Sequence, residues 1–560
     1  MLKTFRIKNI ISFSLFSSSL FLTYIFGELF YNSIDGTDFY RYFQYIEYFN
    51  GTKNSPTREQ GLLYFWYISN FIEMSQNYYL PDKWEFIYSS AIQLGNFILY
   101  VIGLIGFYFW LVGKNISKNL IFLSFTVLNF FPPLFGGRLI MKPEILAFCL
   151  LPWILFGIDN YLKYKNKYNL YFVSLFISVL LTSKGTIALL VGIAIFYLYF
   201  EDLKKINFKD LYFPISVCLT LSTLMFFENS NINQTNIFTH KELEQYLFRA
   251  PISFLYTINL SELFQNPFRN THSNSLIGIT LIDIFGDYFN RYWDHNRSLF
   301  SQNRIVFFEF LPHPRRNISL LFSTFFIAFS LFISKSIDTK KYKKLYIIGF
   351  VTLALTSLGL FGLHFNPLKG DTVKTHYYFF LLSISFLFVI IDFLKDKIYT
   401  VQLLVISIII SASLFIFGFP KNYNIELQSQ IAEKITTTVS CKVSKSYFGQ
   451  YLAEEPNCLT REIATCGFFK NYNKAEEHPD GYLIFQNDDF FTPLNLTDRS
   501  GYSVTVNGYA ECLNYVEGGY FRKLNIFNED RTPFINNLVM IFSLVSIFGL
   551  SIQPKRKKRV

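Results

Sequence analysis

The sequence is poor in charged residues. Only 16% of its 560 residues are Asp, Glu, Lys or Arg, whereas an average soluble domain has about 25%. The mean hydropathy is +0.27, so a large soluble enzyme is excluded and a polytopic membrane protein is predicted. The net charge of +11 does not indicate nucleic-acid binding, because the lysines form short clusters between apolar runs, which is typical of topology signals.

Several motifs are also missing. No Walker-type Gly-Lys-Ser/Thr loop is present, so nothing in the chain indicates a bound nucleotide. No small-residue cleavage site follows the apolar run that ends near Phe30, so we expect a first transmembrane helix rather than a signal peptide. The six cysteines include no Cys-x-x-Cys pair, which makes zinc a weak alternative.

Apolar runs of spanning length are abundant. Most approach the ~20 residues that cross a bilayer, although Ser183-Lys184-Gly185 divides one pair into short halves. After the first helix, the predicted spans are 91–112, 119–135, 142–160, 169–184, 185–200, 211–227, 318–334, 345–363, 377–393, 398–418 and 534–552. The predicted fold is an all-α polytopic membrane protein of about twelve transmembrane helices, with a small external α+β or β domain.

Lysine placement predicts the orientation of these spans. With the N-terminus inside, every short lysine-rich loop lies on one side, as does the basic tail 555–559, which agrees with the positive-inside rule. Both termini are therefore expected in the cytoplasm, with the active face external or periplasmic, and a bacterial inner membrane is the expected location. The chain is predicted to have a membrane domain at 1–418, an external domain at 419–533, and a final helix and tail at 534–560. The membrane domain contains two large outer segments, 31–90 and 228–316.

Segment 419–533 is predicted to be a separate external domain. It contains strand-like runs at 482–485 and 502–506 and turn signals at 507–508 and 518–519. Four cysteines in an oxidising compartment suggest two disulfides with three possible connectivities. The disulfide candidates are Cys441, Cys458, Cys466 and Cys512, whereas Cys149 and Cys218 lie in apolar spans as packing residues.

The first charged cluster on the outer side follows the first span directly. It contains Asp35, Asp38 and Arg41. A carboxylate at a membrane exit is suited to act as a general base on a hydroxyl acceptor, or to hold a divalent cation such as Mg²⁺ or Mn²⁺. The alternative is an ordinary turn, since Asp and Gly are common turn residues.

A second and a third set lie further along the outer side. Arg58 and Glu59 precede an aromatic run, where a plain helix start is the alternative. Arg138, Lys142 and Glu144 follow two helix-breaking prolines, and we expect them at the external membrane surface. Cations beside a helix N-terminus are suited to a phosphate, although a basic anchor on lipid headgroups is the alternative.

Two later outer loops mix charged and aromatic residues. The long loop has groups suited to a carbohydrate or an isoprenoid headgroup, or to an interfacial aromatic belt. The short loop has cations suited to a phosphate or diphosphate, or to a solvated hairpin. The residues are Asp287, Tyr288 and Arg291 in the long loop, and Lys369, Asp371, Lys374, His376 and Tyr377 in the short one.

These sets, in this order and on one side, resemble the GT-C superfamily of polytopic glycosyltransferases over residues 1–418. Members have an acidic residue in the first external loop, for which Asp38 and Asp35 are the candidates here. Residues 58–64 resemble the segment that leads into the re-entrant or amphipathic helices of that loop, and 142–144 resembles a basic-Pro-acid signature. Residues 285–288 and 370–374 resemble loop motifs of bacterial members.

The resemblance implies an inverting sugar transfer from a polyprenyl-phosphate donor to an external glycan, lipid or protein acceptor. The donor phosphate would be met by Arg138, Lys142, Lys369, Lys374 and His376. Substrate would be contacted by Arg41, Arg58, Glu59, Glu144, Asp287, Tyr288, Arg291, Asp371 and Tyr377. Alternatives are a polysaccharide polymerase or ligase acting on lipid-linked glycans, a transporter or flippase of lipid-linked sugar, and a non-catalytic scaffold.

Overall fold

The structure is a computed structural model. It describes residues 2–30, 61–76, 84–233, 252–265, 275–285, 314–336, 340–361, 379–395, 531 and 533–552. It also describes six short strands between 440 and 507, and the single positions 33, 42, 45, 46, 48, 49, 56 and 272.

The described residues are mostly helical. The long helices are α1 (Leu2–Phe30), α2 (Leu62–Gln76), α3 (Trp84–Gly113), α4 (Lys118–Leu128), α5 (Pro132–Leu139), α6 (Glu144–Tyr164), α7 (Tyr168–Ser183), α8 (Gly185–Tyr199) and α9 (Phe208–Asn233). They are followed by α10 (Leu260–Gln265), α11 (Leu276–Phe285), α12 (Pro314–Ser336), α13 (Lys340–Phe361), α14 (Phe379–Lys395) and α15 (Phe534–Ile552). Two 3₁₀ helices lie at Phe200–Lys205 and Ile252–Leu255.

Five of the described helices are long and apolar enough to cross a membrane. They contain Asn9–Glu28, Tyr88–Gly113, Glu144–Tyr164, Phe208–Asn233 and Phe534–Ser551. Shorter apolar helices lie at Tyr168–Ser183, Leu320–Lys335 and Phe380–Leu394. A helical multi-pass membrane protein is therefore supported, whereas the count of about twelve spans stays a prediction. The predicted span 398–418 lies outside the described residues.

One predicted span is broken in the structure. The run 119–135 does not form one helix, because α4 and α5 meet at a bend of 68°. Pro132 occupies the first turn of α5, where a missing backbone N–H has no cost but continuation of the preceding helix is blocked. The bend makes Arg138 part of a short helix, and not of the surface loop that we expected.

The predicted division of 169–200 is confirmed at Lys184. Its backbone is extended, with φ −164° and ψ 120°, and it separates α7 from α8. The Lys184 carbonyl then accepts hydrogen bonds from the amides of Ile187 and Ala188. The interruption therefore starts a new helix and turns a charged side chain back into the bundle.

Helices α3 and α6 form the centre of the bundle. A Cβ at Gly103 would lie 2.7 Å from the Phe148 carbonyl oxygen, so only glycine permits this close approach. Trp153 is fully buried, and its indole donates a hydrogen bond of 3.1 Å to the Ile102 carbonyl. Small residues that allow helix backbones to approach are typical of packing in membranes.

One end of the bundle, here the Asp159 end, has an ionic network. The Asp159 carboxylate accepts from Lys114 Nζ at 2.7 Å, from the Trp110 indole at 2.9 Å and from the Tyr199 hydroxyl at 2.9 Å. Tyr342 of α13 donates to the Lys114 carbonyl at 3.0 Å. Lys114, one of the lysines expected in the inside loops, thus connects α3 to α6 and α13 at this end.

The strands lie between residues 440 and 507. They are β1 (Ser440–Ser444), β2 (Leu459–Thr460), β3 (Ile463–Ala464), β4 (Glu476–His478), β5 (Tyr482–Phe485) and β6 (Ser503–Asn507). One sheet has the order β1-β6-β5-β4, with β5 and β6 parallel and the other pairs antiparallel, and β2 pairs with β3. That this segment forms an external domain stays a prediction.

Candidate anion site at one end of the helix bundle

Arg138 lies inside the protein. Its side chain is only 2% exposed, which corrects the prediction that it sits at the membrane surface. The bend before α5 explains the difference, because it directs the end of this helix into the bundle. The guanidinium carbon lies 4.5 Å from the ring centre of Phe135, 4.9 Å from Tyr100 and 5.6 Å from Phe97. These distances are in the range of cation–π contacts.

The two terminal nitrogens of the guanidinium lack hydrogen-bond partners within the described part of the chain. Both terminal nitrogens, Nη1 and Nη2, are buried and unpaired there. Aromatic rings stabilise the cation from its faces, but they do not satisfy the N–H donors at its edge. A buried donor without an acceptor costs about 1–3 kcal/mol, and more when it is charged. The edge of this guanidinium is therefore chemically suited to an external oxyanion.

Asn96 fixes the end of α5 that carries Arg138. Its amide donates to the carbonyls of Arg138 at 3.0 Å and Ile140 at 2.8 Å. Its oxygen accepts from the Tyr64 hydroxyl at 2.9 Å. All three bonds are buried, and they join α2, α3 and α5. The guanidinium is thus held on a rigid support.

Lys142 and Glu144 are also buried, contrary to the predicted surface location. They flank Pro143, which is the N-cap of α6. The Glu144 carboxylate accepts from Lys184 Nζ at 2.8 Å. A carboxylate in the first turn of a helix is also stabilised by the helix dipole.

Lys184 is the residue of this site that the sequence reasoning missed. From the sequence, Lys184 indicates only the division of an apolar run, and the pattern assigns no role to its charge. A lone lysine in the middle of 32 mostly apolar residues (169–200) was the available signal, because a charge in a membrane segment is costly without a partner. We call Arg138, Lys142, Glu144 and Lys184 together the Arg138 cluster.

The first outer segment touches this end of the bundle at Gly61. Its amide donates to the Ser183 carbonyl at 3.0 Å. A Cβ at Gly61 would lie 2.2 Å from the Thr182 carbonyl oxygen, so no other residue fits without movement of the backbone. The segment that contains the predicted acids is therefore joined to the α7–α8 break beside the Arg138 cluster.

A further carboxylate lies close to the same end. Glu28, near the end of α1, accepts from the Ser90 hydroxyl at 2.5 Å. The neighbouring Gly27 carbonyl accepts from Gln93 at 3.2 Å. A Cβ at Gly27 would lie 2.7 Å from a methyl carbon of Leu139, so the end of α1 packs directly on α5. Sequence reasoning assigned no role to Glu28, because it belongs to the hydrophobic run of the first span.

The last helix is tied to the same side of the molecule. The Glu228 carboxylate accepts from the backbone amides of Ile535 and Asn536 at 2.9 and 2.8 Å, which caps α15. Arg531 donates to the Tyr48 carbonyl at 3.2 Å. Burial raises the pKa of the Tyr48 phenol, which Arg531 partly offsets. The chain therefore returns from segment 419–533 against the first outer segment.

The remaining predicted site residues lie outside the described residues. They are Asp35, Asp38, Arg41, Arg58, Glu59, Asp287, Tyr288, Arg291, Lys369, Asp371, Lys374, His376 and Tyr377. The same holds for Cys458, Cys466 and Cys512 and for the side chain of Cys441, whereas Cys149 and Cys218 are free. Of the predicted set, the structure describes Arg138, Lys142 and Glu144, which are all buried within seven consecutive residues.

The described residues contain no cluster of metal ligands. No set of three or more His, Cys, Asp or Glu side chains lies together there in a way that would hold an ion. The acids for which a divalent cation was considered, Asp35 and Asp38, are not among these residues.

Comparison with known proteins adds no assignment. No protein-family model matches the chain, and no curated protein matches it significantly.

Proposed function

We propose that this protein is a membrane glycosyltransferase that moves a sugar from a polyprenyl-phosphate donor to an external glycan, lipid or protein acceptor. The observation that carries the proposal is the buried guanidinium of Arg138, whose Nη1 and Nη2 have no hydrogen-bond partner among the described residues. A phosphate oxyanion supplies the acceptors that this group needs. Lys142 adds positive charge at the same end of the bundle.

The reaction assigns a role to each group. Asp38 or Asp35 removes the proton of the acceptor hydroxyl, and the acceptor oxygen then forms a bond to the anomeric carbon. The bond from that carbon to the phosphate oxygen breaks, and its electron pair leaves with the polyprenyl phosphate. Attack opposite the leaving group inverts the configuration. Arg138 and Lys142 stabilise the charge on the departing phosphate.

The membrane architecture supports a lipid-linked donor. Two helices of spanning length meet at the Arg138 cluster, since α3 supplies the rings of Phe97 and Tyr100 and α6 begins at Glu144, so a prenyl tail can lie along apolar helices while the phosphate meets the cations. A polymerase or ligase of lipid-linked glycans would use the same phosphate chemistry, and the donor assay below separates the two. A divalent cation at Asp35 and Asp38 is an alternative role for these acids.

The test uses the full-length protein in liposomes with labelled hexosyl and pentosyl polyprenyl phosphates. We expect Asp38→Asn or Asp35→Asn to lower the transfer rate by about 10²–10⁴-fold, which is the usual contribution of a general base. Asp159→Asn is the control, because Asp159 lies at the other end of the bundle. Full transfer by both acid variants, at normal protein levels, would disprove the assignment. Transfer only from diphosphate-linked glycans would favour the polymerase or ligase.

A further inference from the structure

Lys184 and Glu144 form an ion pair that is withdrawn from water. Their charged groups lie 2.8 Å apart, and their side chains are only 11% and 2% exposed. Glu144 begins α6 six residues after Arg138. Arg138 is buried at the same end, and its terminal nitrogens are unpaired among the described residues. The cluster thus has a carboxylate whose Oε1 accepts from Lys184, and a guanidinium whose terminal nitrogens have no partner among the described residues.

Asn96 and Tyr64 link the backbone at Arg138 to the surroundings of Glu144. Asn96 binds the Arg138 carbonyl at 3.0 Å and the Tyr64 hydroxyl at 2.9 Å. Tyr64 in turn lies within electrostatic range of Glu144. Opposite charges attract much more strongly in such buried surroundings than in water. Without Lys184, the Glu144 carboxylate would be drawn to the guanidinium and would compete there with any external anion.

We propose that Lys184 is a positioning residue that engages Glu144 and so keeps the Arg138 guanidinium available for a lipid phosphate. The proposal rests on the proposed function, because it takes the Arg138 cluster as the phosphate site. It adds that phosphate binding by Arg138 depends on the ion pair between Lys184, at the α7–α8 break, and Glu144, at the start of α6. Lys184 acts here through Glu144 and needs no contact with the ligand.

The proposal predicts a pattern among four variants. Lys184→Met should weaken binding of a prenyl phosphate by about tenfold or more, since pairs in one network couple strongly. Removing the competing carboxylate as well, in Glu144→Gln/Lys184→Met, should restore the affinity to within about threefold of the original protein. Lys184→Arg should bind normally, and Glu144→Gln alone should bind at least as tightly as the original protein.

The experiment measures binding of farnesyl phosphate to the full-length protein in nanodiscs by isothermal titration calorimetry. Farnesol serves as the neutral probe with the same tail, and inorganic phosphate as the probe without a tail. Asp159→Asn is the matched control, because it disrupts an ion pair of 2.7 Å at the Asp159 end. Asp159 lies fifteen residues after Glu144 on α6, or about 22 Å at 1.5 Å per residue.

The outcomes separate this proposal from the proposed function. Rescue by the double variant supports the proposal, because a merely structural role of Lys184 would not be reversed by removing Glu144. The proposal is overturned if Lys184→Met binds normally, if the double variant stays as weak as Lys184→Met, or if the original protein does not prefer farnesyl phosphate to farnesol. Should Lys184→Met fail to fold, weaker binding by Glu144→Gln or by the double variant overturns it. Phosphate binding with this pattern but without sugar transfer would disprove only the proposed function.

Discussion

Replacement of Asn96 by alanine tests the support of the Arg138 cluster. The change removes a buried side chain that makes hydrogen bonds to Arg138, Ile140 and Tyr64. The Ile140 carbonyl keeps its 2.9 Å hydrogen bond from the Lys142 amide, but the Arg138 carbonyl and the Tyr64 hydroxyl lose their bonds to Asn96, at a cost of about 1–3 kcal/mol each if they stay unsatisfied. Partial relaxation of the surroundings should reduce the sum, so we expect Asn96→Ala to lower the free energy of unfolding by roughly 2–4 kcal/mol.

Tyr64→Phe is the matched control for this substitution. It removes the 2.9 Å bond to the Asn96 oxygen and the contact with the Lys142 backbone, but leaves both carbonyls satisfied, so we expect a loss of about 1–2 kcal/mol. Unfolding can be followed by tryptophan fluorescence during SDS titration in mixed micelles, and farnesyl phosphate binding by calorimetry. Asn96→Ala should also weaken binding, because the end of α5 loses its support. A loss of stability in Asn96→Ala no larger than in Tyr64→Phe would show that the bonds from Asn96 to the α5 carbonyls do not support the helix.

Two further predictions concern the joints around this end. Gly61→Ala should destabilise the protein by about 1–3 kcal/mol or more, because the Cβ of the alanine would lie 2.2 Å from the Thr182 carbonyl oxygen. An unchanged melting temperature in detergent would contradict this contact. Glu228→Ala should lower the free energy of unfolding by about 1.5–3 kcal/mol or more, since it removes the cap of α15. Glu201→Gln is the control: Glu201 is exposed and pairs with Lys344 at 3.2 Å, so its loss should change the free energy of unfolding by less than about 1 kcal/mol. Equal losses for the two glutamate variants in SDS titration would argue against the cap.

Local sequence patterns predicted the helical segments of the bundle well. The predicted spans 91–112, 142–160, 211–227 and 534–552 overlap α3, α6, α9 and α15, because membrane spans depend on local composition. The division at Lys184 was also predictable, since a charged residue beside glycine interrupts an apolar run. Such features need no knowledge of the tertiary packing.

The contacts within the candidate site could not be predicted in the same way. The pair of Glu144 and Lys184 joins residues 40 positions apart, and nothing local indicates that partnership. The burial of Arg138 depends on the 68° bend at the prolines; the prolines predicted an interruption but not its direction. The bend therefore converted a predicted surface cation into a buried one.

A cryo-electron microscopy structure of the full-length protein with a bound polyprenyl phosphate would show directly whether Arg138 binds the donor. We expect the phosphate within hydrogen-bond distance of Arg138 Nη1 or Nη2, with Lys184 still paired to Glu144. The prenyl tail should lie between apolar helices. A phosphate bound elsewhere, with the Arg138 guanidinium paired to a protein carboxylate, would contradict the proposal that Arg138 binds the donor phosphate.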